Sequence, residues 1–251
     1  VIAYLDKYTI MDDFKTVDMQ GTHETILFYG DDVSSFAAEL FNIDTGYFEN
    51  DDFSVYASDD KHSIIARNDD AFGGLNFIYA SKDRSFWEGK ILNKDLILKF
   101  GLTEITNEVY EIKRVEYGIP AFGKEMTELT NPLECGLNRY VSFTKGCYIG
   151  QEVIARLDAY DKISKHMVGI RSEIEIPIGG SKGDVKLLAD NKECGFVTSS
   201  SISDKFGNIG LGFVKTIFLN YDKPYDIKIN ENLLKCRITK LPFDNELSAH
   251  R

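Results

Sequence analysis

Apolar positions repeat with two different periods along this chain, and the change from one to the other falls near residue 165. "TILFYG" (25–30) reads as a strand. "DDVSSFAAELF" (31–41) places Val33, Phe36, Ala37 and Leu40 on one face of a helix, behind an aspartate suited to its N-cap. "FSVYAS" (53–58), "HSIIAR" (62–67) and "LNFIYA" (75–80) predict strands, with "DDK" as a hairpin turn and "DDAFGG" as a loop. Helical patterns follow at 83–92 and 103–117. Strands and helices mixed in this order predict an α+β region more than a doubly wound parallel sheet.

Beyond residue 165 only strands and turns remain: "KHMVGIRS", "VKLLAD", "CGFVTSSS", "NIGLGFVK", "DIKIN" and "LLKCRITKL". Gly, Asn and Asp between them supply the positive φ that tight turns need. The expectation is a mixed region over 1–164 and a small all-β barrel or sandwich over 165–251. The Gly-rich pieces "IGLGF" (209–213) and "GGSKGD" (179–184) lack the spacing and following helix of a phosphate loop, and read as turns and close strand contacts.

Composition narrows the partners. A chain of 251 residues with 43% hydrophobic residues can bury sizeable cores, and two domains are expected. Its 40 acidic residues exceed its 29 basic ones, and the net charge of -11 repels nucleic-acid backbones and anionic lipid. No apolar run approaches the roughly 18 residues of a membrane span, and the start lacks a signal-peptide pattern. The expected location is the cytoplasm or an organelle matrix. Val1 in place of a methionine points to processing or to a chain that begins inside a longer gene product.

The four cysteines, Cys135, Cys147, Cys194 and Cys236, show no CxxC spacing, and the four histidines are dispersed. Reduced thiols are expected, not a disulfide framework or a zinc site. Cys236 alternates in phase with Leu234 and Ile238, so it should face a barrel core.

Two stretches carry candidate chemistry. In "TEITNEVYEIKRVEYG" (103–118), helical spacing gives an apolar stripe of Ile105, Val109 and Ile112, with Glu116 on the stripe and Arg114 on the opposite side. A carboxylate there needs a hydrogen-bonding or cationic partner, a polar cavity, or escape to solvent at a frayed helix end. In "TKGCYIGQEVIAR" (144–156), Val153, Ile154 and Leu157 share one side of a helix beginning near Gly150, and Glu152 and Arg156 stand at i,i+4. Lys145 and Cys147 lie in the loop entering it. A helix dipole and a nearby ammonium would favour the thiolate, while the alternative is a small buried residue without chemistry.

"KGCYIGQE" (145–152) closely resembles the signature of YgfZ-type folate-binding proteins, relatives of the glycine-cleavage T-protein that assist maturation or repair of iron-sulfur enzymes. "KRVEYGIPAFGKE" (113–125) is similar to the family's Arg-x-Glu-x-Gly-x-Pro segment, and "NPLECGL" (131–137) to its Pro-Leu-Glu-x-Gly-Leu segment. "CGFVTSS" and "NIGLGFVK" look like its barrel strands. The resemblance implies domains around a channel that holds tetrahydrofolate. Arg114 would pair with the folate and Glu116 lie beside it, joined by Tyr148, Gln151 and Arg156, while Lys145 and Cys147 would be the functional pair.

"YLDKYTIMDDFKTVDM" (4–19) resembles a point inside the first family domain. The family's front segment, with the aspartate that aminomethyltransferases set near the reacting folate nitrogen, then falls outside these residues. Three functions follow: an accessory protein whose partners are iron-sulfur enzymes or their assembly machinery, a tetrahydrofolate-dependent aminomethyltransferase, or a scaffold without ligand chemistry.

Overall fold

The computed structural model describes residues 2–8, 16, 18, 24–42, 44, 55–57, 63–68, 76–81, 89, 93–159, 163–176 and 185–243. Contacts divide the chain into two units, Val1–Glu104 and Ile105–Arg251. The α+β expectation holds in both. The change of period at 165 marks the first barrel strand, whereas the units divide earlier because the helix after residue 105 packs on the barrel.

In the first unit, strands β1 (Glu24–Phe28), β2 (Val55–Ala57), β3 (Ser63–Asn68) and β4 (Asn76–Ser81) form an antiparallel sheet in the order β1-β4-β3-β2. Helix α1 spans Ile2–Tyr8 and α2 Val33–Phe41. The face of α2 expected from helical spacing, Val33, Phe36, Ala37 and Leu40, is buried. Phe36 packs at 4.9 Å from Phe28 and edge-on at 5.6 Å from Phe100, so one aromatic ties α2 to β1 and to α3 (Lys94–Phe100).

Apolar period did not predict α3, none of whose residues is buried. Its ends were legible instead: the Asn93 side chain accepts from the Asp95 N–H at 2.9 Å, and Gly101 closes the helix at φ 59°. The helix expected at 83–92, the loop "DDAFGG" and the piece "GGSKGD" lie outside the described residues.

The second unit is built on a closed six-stranded antiparallel barrel: β5 (Lys165–Ser172), β6 (Lys186–Ala189), β7 (Lys192–Ser203), β8 (Gly207–Lys215), β9 (Pro224–Ile229) and β10 (Asn232–Thr239), in the order β10-β5-β8-β7-β6-β9. Inward residues including Val168, Ile170, Leu187, Ile227 and Ile238 fill it, and Cys236 joins them as its alternation predicts. The "IGLGF" glycines are close strand contacts: a Cβ on Gly212 would lie 2.5 Å from Phe196 O, and one on Gly210 2.7 Å from Ser199 O.

Strand β8 is buried on both faces because α4 (Asn107–Tyr117) covers its outer side, setting Val115 against Ile209, Leu211 and Phe243. The last helix, α5, spans Gln151–Ala159. Among the described residues no helix is long and apolar enough to cross a membrane.

Candidate functional site

Helix α4 buries its last turn on both sides, Arg114, Val115 and Glu116, and leaves the start of its apolar stripe partly exposed. Ile105 and Val109 remain 37% and 39% exposed, while Arg114, expected on the opposite side, is 2% exposed. Charged partners draw the Arg114 side of the helix inward as well. The carboxylate of Glu125, 0% exposed, stands 3.0 Å from Arg114 Nη1 on the loop after α4, and β7 supplies two hydroxyls beside it.

All five guanidinium N–H groups have protein acceptors. Nε donates to Glu111 at 3.1 Å, Nη1 to Ile119 O at 2.8 Å and to Glu125, and Nη2 to Glu111 at 3.0 Å and Ser199 Oγ at 2.7 Å. Glu125 is equally occupied. Its Oε1 accepts from Thr198 and Ser199, both at 2.6 Å, and its Oε2 from the Ala121 N–H at 2.9 Å. Burial alone would raise the Glu111 pKa, but the hydrogen bonds and charges of Arg114 and Lys124 outweigh it and hold that carboxyl below the usual range.

Glu116 is buried, as its place on the helix requires, and it has the partners a buried carboxylate demands. Lys113 Nζ donates to Oε2 at 2.8 Å and Ser203 Oγ to Oε1 at 2.5 Å, while Ser203 accepts from the Lys205 and Phe206 N–H groups. Arg114 and Glu116 thus staple α4 to β7 and to the β7–β8 hairpin. Sequence reasoning missed Glu125 and also Glu134, which binds Ser164 Oγ at 2.6 Å and Lys165 Nζ at 3.0 Å. Glu134 did carry a signal, the reciprocal pair in which Asn131 Oδ1 accepts from the Glu134 N–H and Glu134 Oε2 from the Asn131 N–H. Glu125 carried none.

The loop before α5 is open where α4 is closed. Cys147 is exposed, whereas Cys135, Cys194 and Cys236 are buried. Burial pushes the Cys194 thiol up to about 11 and Cys236 up to about 12, and it raises Cys135 as well. Lys145 Nζ lies 4.8 Å from the centroid of the Tyr148 ring. Gln151 reaches back to accept from the Tyr148 N–H at 3.4 Å, which fixes the turn at Gly150, φ 87°. Arg156 is exposed one turn further on, and among the described ion pairs none joins it to Glu152.

Lys145 and Tyr148 line one side of a cleft of about 480 Å³, whose other walls include Pro132, Tyr140, Val153 and Ile154. That volume suits a small-molecule ligand. Cys147 sits on the same loop, between the two lining residues, but not among them. The Tyr148 hydroxyl is enclosed by protein and has no hydrogen-bond partner among the described residues, which costs about 1–3 kcal/mol for a buried donor. The structure therefore brings together Lys145, Cys147, Tyr148 and Gln151, and sets Arg114 and Glu116 in a separate, internally satisfied network. Among the described residues no three His, Cys, Asp or Glu side chains gather as a metal site.

Residues 163–244 match the model of the glycine cleavage T-protein C-terminal barrel domain. The chain is 30% identical over 145 residues to an aminomethyltransferase of Oceanobacillus iheyensis, covering 57% of this chain and 38% of that protein. To the aminomethyltransferase of Acidobacterium capsulatum it is 26% identical over 211 residues, 82% of this chain and 55% of the relative. It thus spans between a third and somewhat over half of the length of these relatives. Aminomethyltransferase T of the glycine cleavage system from Bartonella henselae superposes with a TM-score of 0.67 at 17% identity, over 88% of this chain and 59% of that one. The barrel matches the T-protein C-terminal barrel model, and the fold is T-protein-like.

Proposed function

We propose that this chain binds tetrahydrofolate and serves as an accessory protein in the maturation or repair of iron-sulfur enzymes, with Cys147 as its functional thiol. The observation that carries the reading is the exposure of Cys147 on the very loop that borders the cleft, while the other three cysteines are buried. Two features of the cleft fit a reduced folate: apolar and aromatic walls for its rings, the Tyr148 ring among them, and the Lys145 ammonium.

In this reading Cys147 stays accessible to a partner enzyme or to a one-carbon or sulfur species, and Gln151 holds the loop in place. Arg114 and Glu116 contribute by fixing α4 to the barrel. The folate, when bound, supplies the one-carbon chemistry, and the partners are iron-sulfur enzymes or their assembly machinery.

Calorimetric titration with tetrahydrofolate should show binding that Cys147→Ala preserves. The same variant should abolish the rescue of iron-sulfur enzyme activity in cells lacking the protein. Full rescue by Cys147→Ala would remove the thiol from the function. The second reading, aminomethyl transfer, is favoured by the activity for which the sequence relatives are named. Formation of methylenetetrahydrofolate from an aminomethyl donor distinguishes it.

A further inference from the structure

We infer that Lys145 is the cation that recognises the carboxylates of the folate glutamyl tail, and that the aminobenzoyl-glutamate end of the ligand enters the cleft beside Tyr148. The inference rests on the folate reading and assigns the anion-binding role to a different residue from Arg114.

Arg114 is closed to a ligand anion. Each of its N–H groups already has an acceptor, and turning one outward would strip Glu125 of its cation in a site with no solvent access. Lys145 is in the opposite state. It is exposed, lines the cleft, and has no carboxylate partner among the described residues. Its ammonium rests over the Tyr148 ring at 4.8 Å, a contact that positions the charge at the cleft wall without using an acceptor atom.

The surroundings add to the selection. Among the described lining residues Lys145 carries the one formal charge and none is a carboxylate, in a chain whose net charge is -11. The net charge works against anions in general, so an anion is held where a local cation stands free of carboxylates. Pro132, Val153 and Ile154 offer apolar surface for an aromatic ring next to that charge. The aminobenzoyl-glutamate part of a folate presents this pair of features, a flat ring followed by carboxylates, whereas the pterin ring presents no anion.

Calorimetric titration of the whole chain and of Lys145→Gln with three probes tests the inference: tetrahydrofolate, p-aminobenzoylglutamate, and 6-methyltetrahydropterin, which lacks the tail. The loss of a charge-assisted bond should weaken tetrahydrofolate and p-aminobenzoylglutamate by about 10-fold or more. Binding of the tail-less pterin should not change, and Lys145→Arg should retain most of the affinity for the tail. An equal loss on the tail-less pterin, or unchanged tetrahydrofolate binding in Lys145→Gln, overturns this assignment and leaves the folate reading standing. Failure of tetrahydrofolate to bind the unmodified chain overturns both.

Discussion

Two neighbourhoods of the second unit carry the residues that the family resemblance singles out, and they treat charge in opposite ways. Around α4, Arg114 and Glu125 are desolvated and saturated with partners, so their charges bind helix to barrel. Around the loop before α5, Lys145 and Cys147 face solvent, and the buried Tyr148 hydroxyl has no partner among the described residues. A motif residue that is fully satisfied by its own protein has little left to offer a ligand. The chemistry is therefore to be sought where satisfaction is incomplete.

Thiol reactivity gives the widest separation. In the native protein iodoacetamide should modify Cys147 at the rate of an exposed thiol, and Cys135, Cys194 and Cys236 about 1,000-fold or more slowly, because they react only through openings of the barrel unit. The raised pKa values near 11 for Cys194 and 12 for Cys236 reinforce this by keeping those groups protonated at pH 8. Mass spectrometry of the modified peptides reads the order. Comparable labelling of Cys147 and Cys194 in folded protein would erase the distinction between the two neighbourhoods.

The buried network comes next. Glu125→Ala leaves the Arg114 guanidinium and the Ser199 hydroxyl short of an acceptor, while Thr198 keeps Leu211 O, and should lower unfolding stability by about 3–5 kcal/mol in urea titrations. Glu111, 39% exposed on its side chain, also pairs with Arg114; Glu111→Ala keeps the buried pair but leaves the Arg114 Nε–H without its acceptor, and should cost about 1–2 kcal/mol. Equal losses for the two would mean that burial does not set the strength of this network.

These contrasts show how far the sequence could be read. Strand alternation and turn residues carried the barrel, and "KGCYIGQE" placed the loop and the start of α5. Helix period alone could not orient α4. It ranks Ile105, Val109 and Ile112 as the inner face, yet the decisive partners of Arg114 are Glu125, eleven residues on, and Ser199, eighty-five residues on. Pairing at such separations is a property of the folded barrel, not of any local window. The exposure of Cys147 was likewise undecidable from spacing, since a small thiol fits both a core and a loop. The short helix α3 escaped because its seven residues hold barely one repeat of the apolar period, Leu96 and Phe100, both only half-buried, although its caps were written in Asn93 and Gly101.

The smallest effect makes the sharpest comparison, because it sets two tyrosines in one barrel unit against each other. Tyr225 donates from its hydroxyl to Phe218 O at 2.6 Å, has Asn220 O at 3.1 Å, and accepts from the Asn220 N–H at 3.0 Å. Tyr225→Phe should therefore lose about 1–2 kcal/mol, since it leaves those backbone groups without their partner. Tyr148 has nothing to lose in this way: Tyr148→Phe removes an enclosed, unpaired hydroxyl while keeping the ring under Lys145, so stability should stay level or rise by up to about 1 kcal/mol. Urea midpoints of the two variants measured side by side test this. A larger loss for Tyr148→Phe than for Tyr225→Phe would show that the hydroxyl already has its acceptor in solution, and would remove it as a donor waiting for a ligand. If stability holds while tetrahydrofolate affinity drops in Tyr148→Phe, the hydroxyl is kept for the ligand and not for the fold.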